Sequence, residues 1–235
     1  MNGGLLHAAS ALDMLGKMQD IRAQNIANAN TTGYRRRIGS AEAFASSLKQ
    51  AGGVRLATLR EDVDSSQGNL RQTGAANDLA LEGKGFFSLE TEQGVRFTRN
   101  GAFHVHSSGD LVASDGARVL GEGGPIQVDP GRGPISVDER GNVTQENERV
   151  ATLRVVEFEQ QTRLQAEANG RWRAGPGANP TDAKETTVRQ GFLESSNVNV
   201  VDELVQMISG LRAFESAQKS MQGIDRIRSR AVGGR

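Results

Sequence analysis

Both ends of this 235-residue chain carry the spacing of an amphipathic helix, and few architectures can accommodate two such ends around whatever lies between them. From Leu5 to Ile26 the positions Leu5, Leu12, Leu15, Met18, Ile21 and Ile26 recur with helical periodicity, and Ala8, Ala9 and Ala11 fill in between. The polar run "NANTTG" then stops the helix, because asparagine tolerates left-handed backbone angles and Gly33 adopts them with no Cβ penalty. At the far end Val201, Leu204, Val205, Ile208, Leu211, Phe214, Met221 and Ile224 repeat the pattern. Asn199 is the expected N-cap with Asp202 three residues on, and Arg226, Arg228 and Arg230 sit near the C-terminal end, where the helix dipole favours cations. Two helices that enter and leave one domain lie most simply antiparallel, stripes together. Where a stripe spreads over more than one face, neighbouring copies must cover the remainder.

The texture changes between the helices. From about Ile38 to Ala76 the segment reads as irregular, with Phe44 and Leu48 hinting at a short helix and "GGVRLATLREDV" at a strand. Beyond it, short alternating runs such as "LALEGKGFFSLE" and "VATLRVVEFE" are separated by glycine, and "RNGAF" and "SSGDL" carry the Asn-Gly and Ser-Gly chemistry of hairpin turns. The expected class is α+β, with N- and C-terminal amphipathic helices paired as an antiparallel coiled coil and a β-rich domain inserted between them. The boundaries read as 1–34 for the first helix and its cap, 35–76 for an irregular linker, 77–190 for the β-rich domain and 191–235 for the second helix.

Composition tempers and narrows this picture. Hydrophobic residues make up 36% and aromatics 4%, with 29 glycines, against a usual apolar share of roughly 45–50% that already counts glycine, so a thin core is expected. Lys plus Arg equals Asp plus Glu at 28 each, and no global field draws the chain toward nucleic acid or anionic lipid. The basic clusters "YRRR" and "DRIRSR" lack the interleaved aromatics of a nucleic-acid surface and read as solvated or subunit-contacting. No cysteine is present, which removes disulfides, thiolate metal sites and thiol nucleophiles. His104 and His106 sit two apart but lack assignable partners, His7 lies on a helix, and the glycine-rich stretches do not match a phosphate loop. These patterns nominate neither a catalytic group nor a cofactor or metal. No run approaches about 18 apolar residues and no basic, then apolar leader opens the chain, so neither membrane insertion nor a cleaved signal is expected.

Three stretches carry a resemblance to a known family. "NIANANTTGYRR", Asn25 to Arg36, closely resembles the signature that ends the first helix of bacterial flagellar axial proteins, the rod and hook family. "GFLESSNVNVVDELVQMISGLRAFESAQKSMQGIDRI" is similar to that family's C-terminal helix, and "NDLALEGKGFFSLE" with "GVRFTRNGAFHVHSSGDLVASDG" looks like the opening of its β-domain. The motifs occur in the family's order and cover more than half the chain. Asn25, Asn28, Asn30, Thr31, Thr32, Gly33 and Tyr34 fall on the first; Ser196, Asn197, Val198, Glu203, Met207, Ile208, Arg212, Ala213 and Glu215 fall on the second.

The resemblance implies a structural subunit, not an enzyme, that polymerises helically with copies of itself and other rod proteins. It also implies export by the flagellar type III apparatus without a cleaved signal, and residence in the basal body within the periplasmic space. Within the family, the short linker from Ile38 to Ala76 and the stretch "PISVDERGNVTQ" resemble the proximal rod type, then the distal. A secreted β-rich binding module is the alternative outside it, and a metal enzyme built on His104 and His106 stands behind both. The residues expected to carry assembly are those named for the first motif, Asn197, Met207, Ile208, Arg212 and Glu215 of the second, and the stripes: Leu5, Leu12, Leu15, Ile21 and Ile26 on the first helix, and Val201, Leu204, Leu211, Phe214 and Met221 on the second. An isolated helix of this length is marginal in water, so both ends are expected to order only on assembly.

Overall fold

The computed structural model describes residues 3–43, 57–159 and 164–233. A helix, α1 (Gly3–Ala27), opens the chain and a second, α2 (Val200–Gly233), closes it. Between them run β1 (Arg37–Ala43), β2 (Ala57–Val63), β3 (Leu70–Gln72), β4 (Leu79–Glu82), β5 (Phe86–Thr91), β6 (Gly94–Thr98), β7 (Phe103–Val105), β8 (Leu111–Ala113), β9 (Arg118–Gly121) and β10 (Gly124–Pro125). They are followed by β11 (Ile135–Val137), β12 (Asn142–Gln145), β13 (Glu148–Thr152), β14 (Val155–Phe158), β15 (Leu164–Ala166), β16 (Arg171–Ala174), β17 (Pro180–Asp182), β18 (Thr187–Gln190) and β19 (Phe192–Glu194). The α+β class expected from the sequence is the one observed, with a helix at each end of a large β-rich middle.

The chain folds into two compact units. The first combines Met1–Asn28, Arg36–Asp64 and Val198–Arg235, and the second combines Ala29–Arg35 with Ser65–Asn197. In the first unit α1 and α2 pack on each other, and a hairpin of β1 and β2 runs antiparallel in unbroken register from Arg37 opposite Val63 to Ala43 opposite Ala57. The hairpin was not legible in the stretch read as irregular. β2 falls within the strand that "GGVRLATLREDV" suggests, while Phe44 and Leu48 lie outside the described residues.

In the second unit the main sheet runs in the order β15-β16-β6-β5-β9-β8-β7, with β10 on β9, β14 on β5 and β17 on β14. A three-stranded sheet, β11-β12-β13, and the pairs β18-β4 and β19-β3 complete it. Alternation along β5 separates two apolar groups. Phe87 meets Phe103 edge to face at 5.2 Å within a core that includes Leu79, Leu81, Leu89, Leu111, Val119, Ile126 and Val143. Phe86, on the opposite face, meets Phe158 and Trp172 edge to face, and Phe158 in turn meets Phe97. The sparse apolar composition is therefore concentrated in this unit.

"SSGDL" is the expected hairpin turn: Gly109 has φ +89°, and β7 and β8 pair across it. "RNGAF" is not a hairpin, because β6 and β7 are not neighbours in the sheet. Gly101 has a different task there. Its carbonyl accepts the Leu79 N–H at 3.0 Å, and a Cβ on it would overlap the Leu79 carbonyl oxygen. Glycine is required by close backbone approach, not by a turn.

Candidate assembly surface

α2 carries two apolar faces. One bears Glu203, Met207, Gly210, Phe214, Ala217 and Met221, spaced four, three, four, three and four apart, and these are buried or half-buried. This is the face toward α1. Gln19 Nε2 donates to the Met207 carbonyl at 3.1 Å and Arg22 Nη1 to the Gln206 carbonyl at 2.9 Å. Gly210 admits both side chains, since a Cβ there would collide with the ends of Gln19 and Arg22. The other face bears Val201, Leu204, Val205, Ile208 and Leu211, whose exposures run from 44 to 67%. The single stripe read from the sequence thus divides in two: Met207, Phe214 and Met221 turn inward, while the remaining apolar side chains of the first three turns stay open, flanked by exposed Arg212 and Glu215. Asn199 caps the helix as expected, its Oδ1 accepting from the N–H groups of Val201 and Asp202.

On α1, Ile21 and Asn25 are buried, and Leu12, Leu15, Met18 and Ile26 are half-buried. The side chains of Leu5 and Ile224 lie outside the described ones. Asn25, 1% exposed, uses both ends of its amide on one residue: Nδ2 donates to the Arg37 carbonyl at 2.8 Å, and Oδ1 accepts the Arg37 N–H at 2.9 Å. It stands in for a strand partner at the start of β1. Asn28 Nδ2 donates back to the Gln24 carbonyl at 2.8 Å, holding the last turn of α1.

The rest of the first motif belongs to the β-rich unit. Gly33 has φ +68°, donates its N–H to the Glu194 carbonyl at 2.8 Å, and has no room for a Cβ, which would meet Asn100 N at 2.5 Å. The Thr32 hydroxyl donates to Asn100 Oδ1 at 2.7 Å, the Tyr34 N–H to the Thr31 carbonyl, and Tyr34 itself is buried. Asn30 is exposed. From the second motif, Asn197 Nδ2 reaches the Ser66 carbonyl at 2.9 Å.

The run "YRRR" is where reading the sequence failed. Arg35 is buried and Arg36 and Arg37 are half-exposed, and each arginine is matched to a carboxylate in place of a free cationic patch. Arg35 pairs with Glu194 at 2.8 Å, both nearly inaccessible; Arg36 pairs with buried Glu203 at 2.5 Å; Arg37 pairs with Glu61 at 3.0 Å. The missing signal was spatial, since the partners are 24 to 167 residues away. Glu194 also holds Arg99 at 3.4 Å, and burial lowers the Arg99 guanidinium to about 10, with the Glu194 carboxylate opposing that shift.

Elsewhere on the β-rich unit, a cleft of about 760 Å³ is lined by Glu90, Arg96, Asp115, Arg118, Glu167 and Arg171. Its guanidiniums pair with carboxylates of the same wall: Arg96 with Glu167 at 2.6 Å, Arg118 with Glu90 at 2.7 Å, and Arg171 with Asp115. His104 lies on β7, while His106, just beyond it, hydrogen-bonds Ser108 Oγ at 2.9 Å inside the hairpin turn. Among the described residues no three potential metal-ligating side chains gather, and no helix is long and apolar enough to cross a membrane.

Two terminal helices in one unit, an inserted β-rich unit and an open apolar face are the features of a subunit that packs against neighbours. Comparison with known proteins agrees. Residues 5–35 match the family described as flagella basal body rod protein, 80–145 the flagellar hook protein FlgE/F/G D1 domain, and 189–233 the flagellar basal body rod FlgEFG protein C-terminal region. The chain is 33% identical to the flagellar basal-body rod protein FlgF of Caulobacter vibrioides over 99% of its own length and 97% of the relative's. It is 34% identical to FlgF of Rhizobium meliloti, covering 94% of the chain and 93% of the relative, and 28% identical to FlgG of Bacillus subtilis, covering 88% and 89%. The chain belongs to the flagellar basal-body rod family, most like the FlgF members. It is a structural subunit of the rod, not an enzyme, and it assembles with other rod proteins in the basal body.

Proposed function

We propose that this chain is a proximal rod subunit that polymerises helically through its terminal helices, with α1 and α2 forming an antiparallel coiled coil inside each subunit and the outer face of α2 docking on the next copy. The open stripe Val201, Leu204, Val205, Ile208 and Leu211 carries the reading. Completing the burial of each such half-covered side chain contributes about 1 kcal/mol, and five together favour a packed neighbour. A contact between unlike patches that does not close on itself generates a filament. Met207, Phe214 and Met221 build the helix pair within the subunit, while Asn25, Asn28, Asn30, Thr31, Thr32, Gly33, Tyr34 and Asn197 form the junctions that turn the chain between helix and β-rich domain. In functional terms the chain divides as axial helix and cap (1–34), connecting segment (35–76), β-rich domain (77–190) and axial helix (191–235). It travels through the flagellar type III apparatus. Its helices order only when the subunit joins the shaft in the periplasmic space.

Replacing Leu204 and Ile208 together by aspartate tests the assignment. The β-rich unit retains its Trp172 fluorescence, while motility and incorporation into isolated basal bodies are lost. Normal incorporation of that double variant refutes the docking face.

A further inference from the structure

Glu194 is the only carboxylate in contact with two buried guanidiniums of the β-rich unit among the described residues. Its Oε1 accepts from Arg35 at 2.8 Å and from the Gly68 N–H at 3.0 Å, and Oε2 accepts from Arg99 at 3.4 Å. Its backbone carbonyl takes the Gly33 N–H at 2.8 Å, and its neighbour Ser195 donates to the Asn69 carbonyl at 2.9 Å. Arg35 also donates to the Ser66 carbonyl. Arg99 donates to the Gly83 carbonyl at 2.5 Å and lies 5.1 Å from the centre of the Phe86 ring. Four distant stretches, 29–35, 65–69, the end of β6 and β19, thus converge on one side chain. A charge this deep is tolerated only with its partners in place, so removing any one strands the others. The first motif is therefore split: α1 belongs to the helical unit, whereas 29–35 is locked by backbone and charge into the β-rich one.

We propose that Glu194 is a clasp that makes residues 29–35 part of the β-rich unit's own cooperative fold, so that order in the unassembled subunit extends to residue 29 and stops there. The N-terminal arm is then tethered at a fixed exit point before assembly, which restricts the volume it searches for its helical partner. That last step rests on the proposed ordering of the helices during assembly; the clasp does not.

Hydrogen exchange on the full-length monomer decides it. The Gly33 amide is expected to exchange with the protection of core amides such as Leu79 and Val119, while α1 amides exchange at least 100-fold faster. In Glu194→Gln, Gly33 protection falls to the level of α1 and trypsin gains access after Arg35, with Trp172 fluorescence unchanged. If Glu194→Gln collapses the whole unit, Arg35→Gln is the deciding variant, because it leaves Glu194 its Arg99 and Gly68 partners. Release of Gly33 in that variant, alone or together with the core amides, supports the clasp. An unprotected Gly33 in the wild-type monomer overturns it, as does Gly33 protection that survives both substitutions. Slow exchange throughout α1 in the monomer would instead refute assembly-coupled folding and leave the clasp standing.

Discussion

Asn25 shows how a motif residue can look like turn chemistry and act as a backbone partner. Its amide closes a two-bond ring with Arg37 from a buried position, so truncation leaves a backbone N–H and C=O without their partner. Stranding buried polar groups costs about 1–3 kcal/mol. Asn25→Ala is accordingly expected to lower the urea concentration at which assembled rods dissociate, whereas a glutamine change at exposed Glu92 leaves it unaltered. The sequence flagged Asn25 through its motif, yet only the fold shows why asparagine is needed: aspartate supplies acceptors alone and cannot donate to the Arg37 carbonyl. The arginines of "YRRR" teach the opposite lesson. Local charge suggested a surface, and long-range carboxylates buried Arg35 while leaving Arg36 and Arg37 paired but half-exposed.

Among the elements, α2 demonstrates what periodicity does and does not contain. An apolar stripe wide enough to cover two faces tells the reader that burial is required, but the identity of the covering partner is absent from the pattern. Gly210 supplies the asymmetry, because the missing side chain lets Gln19 and Arg22 reach α2 backbone on one face only. The connection between β6 and β7 makes the same point for strands. Asn-Gly is a strong local hairpin signal, but β5, β9 and β8 intervene in the sheet, and Gly101 is spent on contact with Leu79. Gly101→Ala is expected to destabilise the β-rich unit by at least about 2 kcal/mol, since the clash is with backbone that cannot swing away. A urea titration followed by Trp172 fluorescence measures the shift, and an unchanged midpoint would contradict the close approach.

For the molecule as a whole, the apolar residues are unequally shared. The β-rich unit encloses a continuous core and an aromatic group around Trp172, whereas in the helical unit Ile21 is the large apolar side chain that is fully buried among the described ones. Stability follows the buried apolar area, so the two units should not unfold together. Circular dichroism of the monomer is expected to show little helical ellipticity even without urea, while Trp172 stays buried until the β-rich unit melts. A strong helical signal lost together with Trp172 burial would mean that the units are one cooperative body.

By itself the sequence determined the class of elements, the α-β-α order, the N-cap at Asn199 and the family, because these depend on periodicity, turn chemistry and motifs that are local along the chain. Tertiary structure alone decided which side of α2 faces α1, that β1 pairs with β2, and that Arg35, Arg36 and Arg37 find Glu194, Glu203 and Glu61. Those choices depend on which distant groups meet at once in the fold, and the energy of a charge or a methyl group there is set by its neighbours in space.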